Sequence, residues 1–209
     1  MHKVKAILFD MDGVLIDAKE WHYEALNKAL LLFGMEINRH DHLVTYDGLP
    51  TKKKLEMLSK EKGLPVELHN FINEMKQQYT IEITFAKCKP MFLHEYALSK
   101  LKNEGYKIAV CSNSIRDTIV LMMEKSHLSK YIDLILSNQD IKNPKPDPEM
   151  YITAMKKLNM ISEECLIVED NDYGVKSALA SGGHLLRVQR VFDVNYLNIK
   201  NRITDIEAI

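Results

Sequence analysis

Two carboxylates stand two residues apart in Phe9-Asp10-Met11-Asp12-Gly13, and a second acidic group lies far downstream in Glu169-Asp170-Asn171-Asp172. Between them come Ser112-Asn113-Ser114 and Asn143-Pro144-Lys145-Pro146-Asp147-Pro148, which add hydroxyls, amide donors and an ammonium. This set suits phosphoryl transfer. A carboxylate such as Asp10 can take the phosphoryl group as an aspartyl-phosphate, dividing one hard step into two easier ones. Asp12 falls on the same side of an extended chain, where it would protonate the leaving oxygen and later take a proton from water. Gly13 lets the chain turn tightly straight afterwards. Magnesium, a hard cation usually held by one or two carboxylates plus substrate phosphate, finds ligands in Asp10, Glu169 and Asp170. Ser112 and the backbone amide of Asn113 would bind phosphoryl oxygens, and Lys145 would neutralise charge on Asp10 and on the group in transfer.

Four remote segments meet only if the fold brings them to one edge. Residues 4–9 form a short apolar run suited to a fully buried strand, and it ends abruptly at Asp10. Residues 108–112, 134–137, 165–168 and 184–188 read as four more strands. Helical periodicity at 95–103, 115–125, 148–158 and 174–180 alternates with them, which predicts an α/β fold with a doubly wound parallel sheet. Such sheets bind ligands beyond the C-terminal ends of their strands, where the acids, Ser112 and Lys145 fall. Residues 17–88 break the alternation. They carry helical periodicity at 20–33, 51–60 and 67–81 without a buried strand, so the expected organisation is an α/β core of residues 1–16 and 89–209 with an inserted helical domain of 17–88. Hinges are expected near Asp17 and residues 87–90.

Phe9-Asp-Met-Asp-Gly-Val14, Ser112-Asn113, Lys145-Pro-Asp-Pro148 and Val168-Glu-Asp-Asn171 resemble, in order, the four motifs of the haloacid dehalogenase superfamily. The insert after the first motif resembles the cap of the subgroup that holds β-phosphoglucomutase and small sugar-phosphate phosphatases. The resemblance implies a Rossmann-like core, a Mg2+ cofactor, and a phosphoric monoester hydrolase that works through an aspartyl-phosphate. It implies Asp10, Asp12 and Lys145 as catalytic, Asp10, Glu169, Asp170 and the Asp12 backbone carbonyl as metal ligands, and Ser112, Asn113 and Lys145 as phosphate-binding. The second Asp of the first motif argues against the dehalogenases themselves.

Duller readings of single residues stay open on the sequence. Ser112 to Ser114 would also cap a helix starting near Ile115, and Asp172 reads as a helix-start acid beside Gly174. In the insert, His22, Thr51, Lys52 and Lys76 are candidate substrate contacts, with a packed core histidine and solvated lysines as the alternatives. The subgroup resemblance gives a histidine at the spacing of His22 a supporting role to the acid/base aspartate. A phosphomutase with the same core chemistry is the nearest alternative function. In that subgroup the mutase holds a second phosphate with an arginine and a lysine, and here Thr51 stands at the arginine position while Lys76 is displaced by one residue. A non-catalytic phosphate-binding module is the third reading, disfavoured because both Asp10 and Asp12 are present.

The whole composition agrees with a folded enzyme for small substrates. In 209 residues, 46% are hydrophobic and 27% charged, with only 8 Gly and 6 Pro, which excludes a low-complexity chain. Lys+Arg 28 against Asp+Glu 29 gives a formal charge of -1, so no overall basic field exists to hold nucleic acid. No apolar run approaches the roughly 20 residues of a membrane span, and residues 1–10 have no long apolar region or small-residue cleavage site. A cytoplasmic monomer with a small phosphorylated substrate as its partner is the expectation, with Cys88, Cys111 and Cys165 as free, packed thiols.

Overall fold

The structure is a computed structural model and describes residues 3–208. It resolves into two compact units: residues up to Asp17 together with those from Lys89 onward, and Ala18–Cys88.

The first unit is built on five parallel strands, β1 (Ala6–Phe9), β2 (Lys107–Cys111), β3 (Leu134–Leu136), β4 (Cys165–Glu169) and β5 (His184–Arg187), in the order β3-β2-β1-β4-β5. β1 is central. Ala6 pairs with Lys107 on one side and Cys165 on the other. Its four residues are all fully buried, as a strand covered on both faces requires. The second unit supplies α1 (Lys19–Leu31), α2 (Arg39–Asp41), α3 (Thr51–Lys62) and α4 (His69–Lys87). The sheet unit continues with α5 (Phe92–Asn103), α6 (Arg116–Lys125), α7 (Glu149–Leu158), α8 (Asp172–Ala180) and α9 (Tyr196–Glu207). Ala6, Leu8, Ala109, Cys111, Cys165 and Ile167 face one way and pack with Met150, Tyr151 and Ala154 of α7. α5 and α9 pack with each other and reach β2 and β5. All three cysteines are buried and none forms a disulfide, and burial pushes the Cys111 thiol up to about 12.

The helical unit has its own core of Leu26, Ala29, Leu30, Tyr46, Leu55 and Ile72 with their neighbours. α1 packs along α4. Asn27 ties the returning chain to α1 by bonding both the N–H and the C=O of Ile37, at 2.9 and 2.8 Å. α2 runs on into a π-helical turn, His42–Tyr46, before the chain reverses at Gly48.

Several boundaries differ from the sequence expectation. α1 stops at Leu31, short of residue 33, where Gly34 at φ 68 turns the chain. α4 starts later than residue 67 and runs six residues past 81, because Ile83 and Thr84 prolong its buried face. Lys87 is therefore helical, and non-helical chain begins only at Cys88. α9 was not foreseen; Asn195 caps it by accepting the Asn198 N–H, and Ile199, Ile203 and Ile206 bury one stripe.

Candidate active site

The C-terminal edge of the sheet assembles the site one strand at a time. β1 hands on Asp10, whose N–H still donates to Val168 O of β4 at 3.0 Å. The chain then coils back, with the N–H groups of Leu15 and Ile16 both donating to Met11 O and Gly13 N–H to Ile16 O. Gly13 adopts φ 90, a left-handed conformation that costs a glycine little. This fixes Asp12 at the mouth of the turn, where its Oδ2 accepts from the Ser114 hydroxyl at 3.3 Å.

β2 hands on Ser112, whose N–H donates to Leu136 O and whose Oγ accepts from Ser114 N–H at 3.0 Å. The hydroxyl thus serves a local turn. It does not cap α6, whose N-cap is Ile115 and lacks a side-chain bond. The Asn113 side chain clasps the backbone of Lys145, accepting from its N–H at 3.2 Å and donating to its C=O at 3.4 Å.

Lys145 carries the centre of the arrangement. Its ammonium is 2.7 Å from Asp10 Oδ1, 2.6 Å from Glu169 Oε1, 2.8 Å from Cys111 O and 2.8 Å from the Tyr151 hydroxyl. The residue is only 3% exposed and Glu169 is 0%. Burial alone would lower the Lys145 pKa, but the carboxylates of Asp10 and Glu169 outweigh it and hold the ammonium above its ordinary value. The Asp10 pKa is raised as well: burial and then the charge of Glu169 lift it well above its ordinary value, against the opposing pull of Lys145.

β4 hands on Glu169 and Asp170. Asn171 caps α8 by accepting Gly174 N–H at 2.9 Å and steadies Asp170 Oδ1 at 3.1 Å. Glu169 Oε2 accepts from Asp170 N–H at 3.1 Å. The Glu169 carboxylate lies against the first turn of α8, where a Cβ on Gly174 would fall 2.0 Å from its Cδ and Oε1. Only glycine leaves that space.

Oxygens of Asp10, Glu169 and Asp170 lie within 4.8 Å of one another, all three residues buried. Three acids around one ammonium leave excess negative charge out of water, and a hard divalent cation with oxygen ligands fits that donor set.

The edge thus gathers Asp10, Lys145, Glu169 and Asp170, with Asp12, Ser112 and Asn113 tied to the same segments. Asp172 stays outside, as the first residue of α8 paired with Arg187 at 2.8 Å. Within the helical unit, His22 and Lys76 come together, Nδ1 to Nζ 3.3 Å, and Lys76 is 7% exposed instead of solvated. Thr51 opens α3 half-buried and Lys52 is exposed. In the run Lys52-Lys53-Lys54 the buried lysine is Lys54. His42, 1% exposed, stacks on Tyr23 with ring centroids 4.7 Å apart, and burial, then Lys54, lower its pKa. Tyr151 and His42 had no assigned role on the sequence, Ser114 only a share in a helix cap, and Lys54 reads there as a solvated lysine.

The sequence profile of the haloacid dehalogenase-like hydrolases matches residues 7–188. The chain is 27% identical over 194 residues to a phosphorylated carbohydrates phosphatase of Thermotoga maritima, covering 91% of this chain and 85% of that one. It is 30% identical over 190 residues to a phosphoglycolate phosphatase of Aquifex aeolicus, covering 87% of each. Among solved structures, the β-phosphoglucomutase of Clostridium difficile superposes with a TM-score of 0.85 at 21% identity, over 99% of this chain and 100% of that one, a likeness of fold. A profile that runs from β1 past β5, over every strand-end segment described above, shows that the chain is an enzyme of the haloacid dehalogenase-like hydrolase family.

Proposed function

We propose that this hydrolase is a magnesium-dependent phosphatase that cleaves a small phosphorylated metabolite, a sugar phosphate by preference, through an aspartyl-phosphate on Asp10. The observation that carries the reading is the buried contact of Asp10 with Lys145 beside Glu169 and Asp170, with Asp12 two residues on. The names of the Thermotoga and Aquifex relatives, both phosphatases, support the substrate class.

In this reading Lys145 fixes Asp10 Oδ1, leaving Oδ2 to attack phosphorus. The ester P–O bond breaks, and Asp12 gives its proton to the leaving alkoxide. Asp12, now a carboxylate, takes a proton from water; the water oxygen attacks phosphorus, the bond to Asp10 breaks, and inorganic phosphate departs. The Ser112 hydroxyl and Asn113 N–H hold phosphoryl oxygens. Asp10, Glu169, Asp170 and the Asp12 carbonyl would hold magnesium, which when bound offsets negative charge on the phosphoryl oxygens. The helical unit acts as the cap that selects the rest of the substrate, with His22, Lys76, Lys54, His42 and Thr51 as the selecting groups and Lys52 peripheral. Every group named belongs to one chain, so a monomer suffices. Among the described residues no helix is long and apolar enough to cross a membrane.

A phosphomutase is the second reading, and one observation favours it. Thr51 occupies the place of the arginine that would hold a second phosphate, yet Lys54, three residues on and buried, offers a cation from the same helix.

Release of phosphate from p-nitrophenyl phosphate and from a panel of phosphorylated sugars, nucleotides and phosphoglycolate, with magnesium, tests the proposal. Asp10→Asn is expected to lower turnover by at least about 10³-fold. A folded wild type that turns over no phosphate ester would sink it. Isomerisation of β-glucose 1-phosphate in the presence of glucose 1,6-bisphosphate would establish the mutase instead.

A further inference from the structure

Tyr151, on α7 and wholly buried, places its hydroxyl among the acids of the site, although the chemistry above gives it no part. The phenol donates its single proton to Glu169 Oε1 at 2.6 Å and accepts from Lys145 Nζ at 2.8 Å. Its ring lies under the same ammonium, with Nζ 4.7 Å from the centroid.

A count of protons gives this arrangement its meaning. An ammonium has three N–H donors, and four oxygens stand within hydrogen-bond distance of Lys145: Asp10 Oδ1, Glu169 Oε1, Cys111 O and the Tyr151 hydroxyl. Two of the four are carboxylates, whose negative charges draw it in different directions. Glu169 is the better placed competitor, because it is the more deeply buried and the contact is the shorter. Its other oxygen is engaged by Asp170 N–H, and Gly174 leaves the room that the carboxylate occupies beside the helix. The phenol proton satisfies Glu169 Oε1 independently of Lys145.

We propose that Tyr151 is a positioning residue for the nucleophile. Its hydroxyl takes over part of the demand Glu169 makes on Lys145, so that the ammonium stays on Asp10 Oδ1 and fixes which oxygen of Asp10 faces the phosphorus. The inference rests on the reading of Asp10 as the nucleophile. Without the hydroxyl, Glu169 draws Lys145 toward itself and the Asp10 carboxylate loses its fixed rotamer.

Tyr151→Phe keeps the ring and its packing and removes only the hydroxyl. The expected result is a kcat about 10- to 100-fold lower, the range for a group one contact behind the reacting atoms, with KM changed by less than about threefold. Incorporation of 3-fluorotyrosine at position 151 keeps a hydroxyl in the same place and is expected to restore most of the lost rate. The ¹⁵N resonance of the Lys145 ammonium, recorded without substrate and identified by its loss in Lys145→Arg, is expected to move in Tyr151→Phe and to return with fluorotyrosine. An unchanged kcat in Tyr151→Phe overturns the proposal, and so does a fall in kcat with the ammonium resonance unmoved. A wild type inactive on every ester defeats the phosphatase reading instead, and the resonance still decides whether Tyr151 holds Lys145.

Discussion

Gly174 shows how closely a single missing carbon is bound up with the chemistry. The Glu169 carboxylate fills the space where any other residue would place its Cβ, and it is the end of a side chain that could swing away. Gly174→Ala is therefore expected to leave the fold intact while expelling that carboxylate from Lys145 and Tyr151. Breaking a buried ion pair in this way costs about 3–5 kcal/mol; thermal denaturation should register the loss, and turnover should fall with it. Removal of divalent cations by a chelator is expected to abolish phosphate release, with magnesium restoring it. Activity that survives exhaustive chelation would contradict the role given to Asp10 and Asp170. At this scale the acids were legible because they stand where apolar runs stop, a break that sequence displays, and Lys145 because it lies between prolines just ahead of a helix. Tyr151 was not, since it sits in the apolar stripe Met150, Tyr151, Ala154, Met155 and reads as packing until its hydroxyl is located. Lys76 had a signal that polar neighbours obscured: it falls in step with Ile72, Thr80 and Ile83 on the buried face of α4. The same spacing, Lys54 with Leu55 and Leu58, distinguishes the buried lysine of α3 from its two predecessors.

Among elements, the seam between β2 and β3 depends on one carboxylate. Asp133, just before β3, accepts from Lys102 Nζ at 2.8 and 2.7 Å through its two oxygens and from Ile108 N–H of β2 at 2.8 Å. Burial opposes its charge, but the bonds from Lys102 and Ile108 outweigh burial and hold its pKa below the usual carboxylate value. A depressed folded-state pKa contributes stability above the unfolded value of about 3.9, and that contribution disappears as pH falls through the folded value. Asp133→Asn is accordingly expected to cost about 1–3 kcal/mol at pH 7. The gap from wild type should narrow as pH falls below about 4, as measured by urea denaturation. A constant gap would show that the charge is not what stabilises the seam. The strands were readable because each is a short apolar run bounded by polar residues. Helix ends were less so. The end of α4 depends on burial of Ile83 and Thr84, and α9 on three isoleucines spread through an otherwise polar stretch, so tertiary packing set both.

For the whole molecule, two separate cores imply two separable stabilities. Leu30→Ala empties a fully buried position in the helical unit and is expected to cost about 2–5 kcal/mol there. Hydrogen exchange should then quicken in α1 and α4 while β1 and β4 keep their protection. Equal loss of protection in both units would show a single cooperative body. The sheet also dictates when the chemistry becomes possible. β1 precedes every other strand in the chain, yet its partners β2 and β4 begin only at Lys107 and Cys165. Asp10 is thus made well before Glu169 and Asp170, the acids that complete its surroundings. Until β4 has been made and paired, Asp10 stands as an ordinary acid, without the neighbours that the proposed attack on a phosphate ester requires.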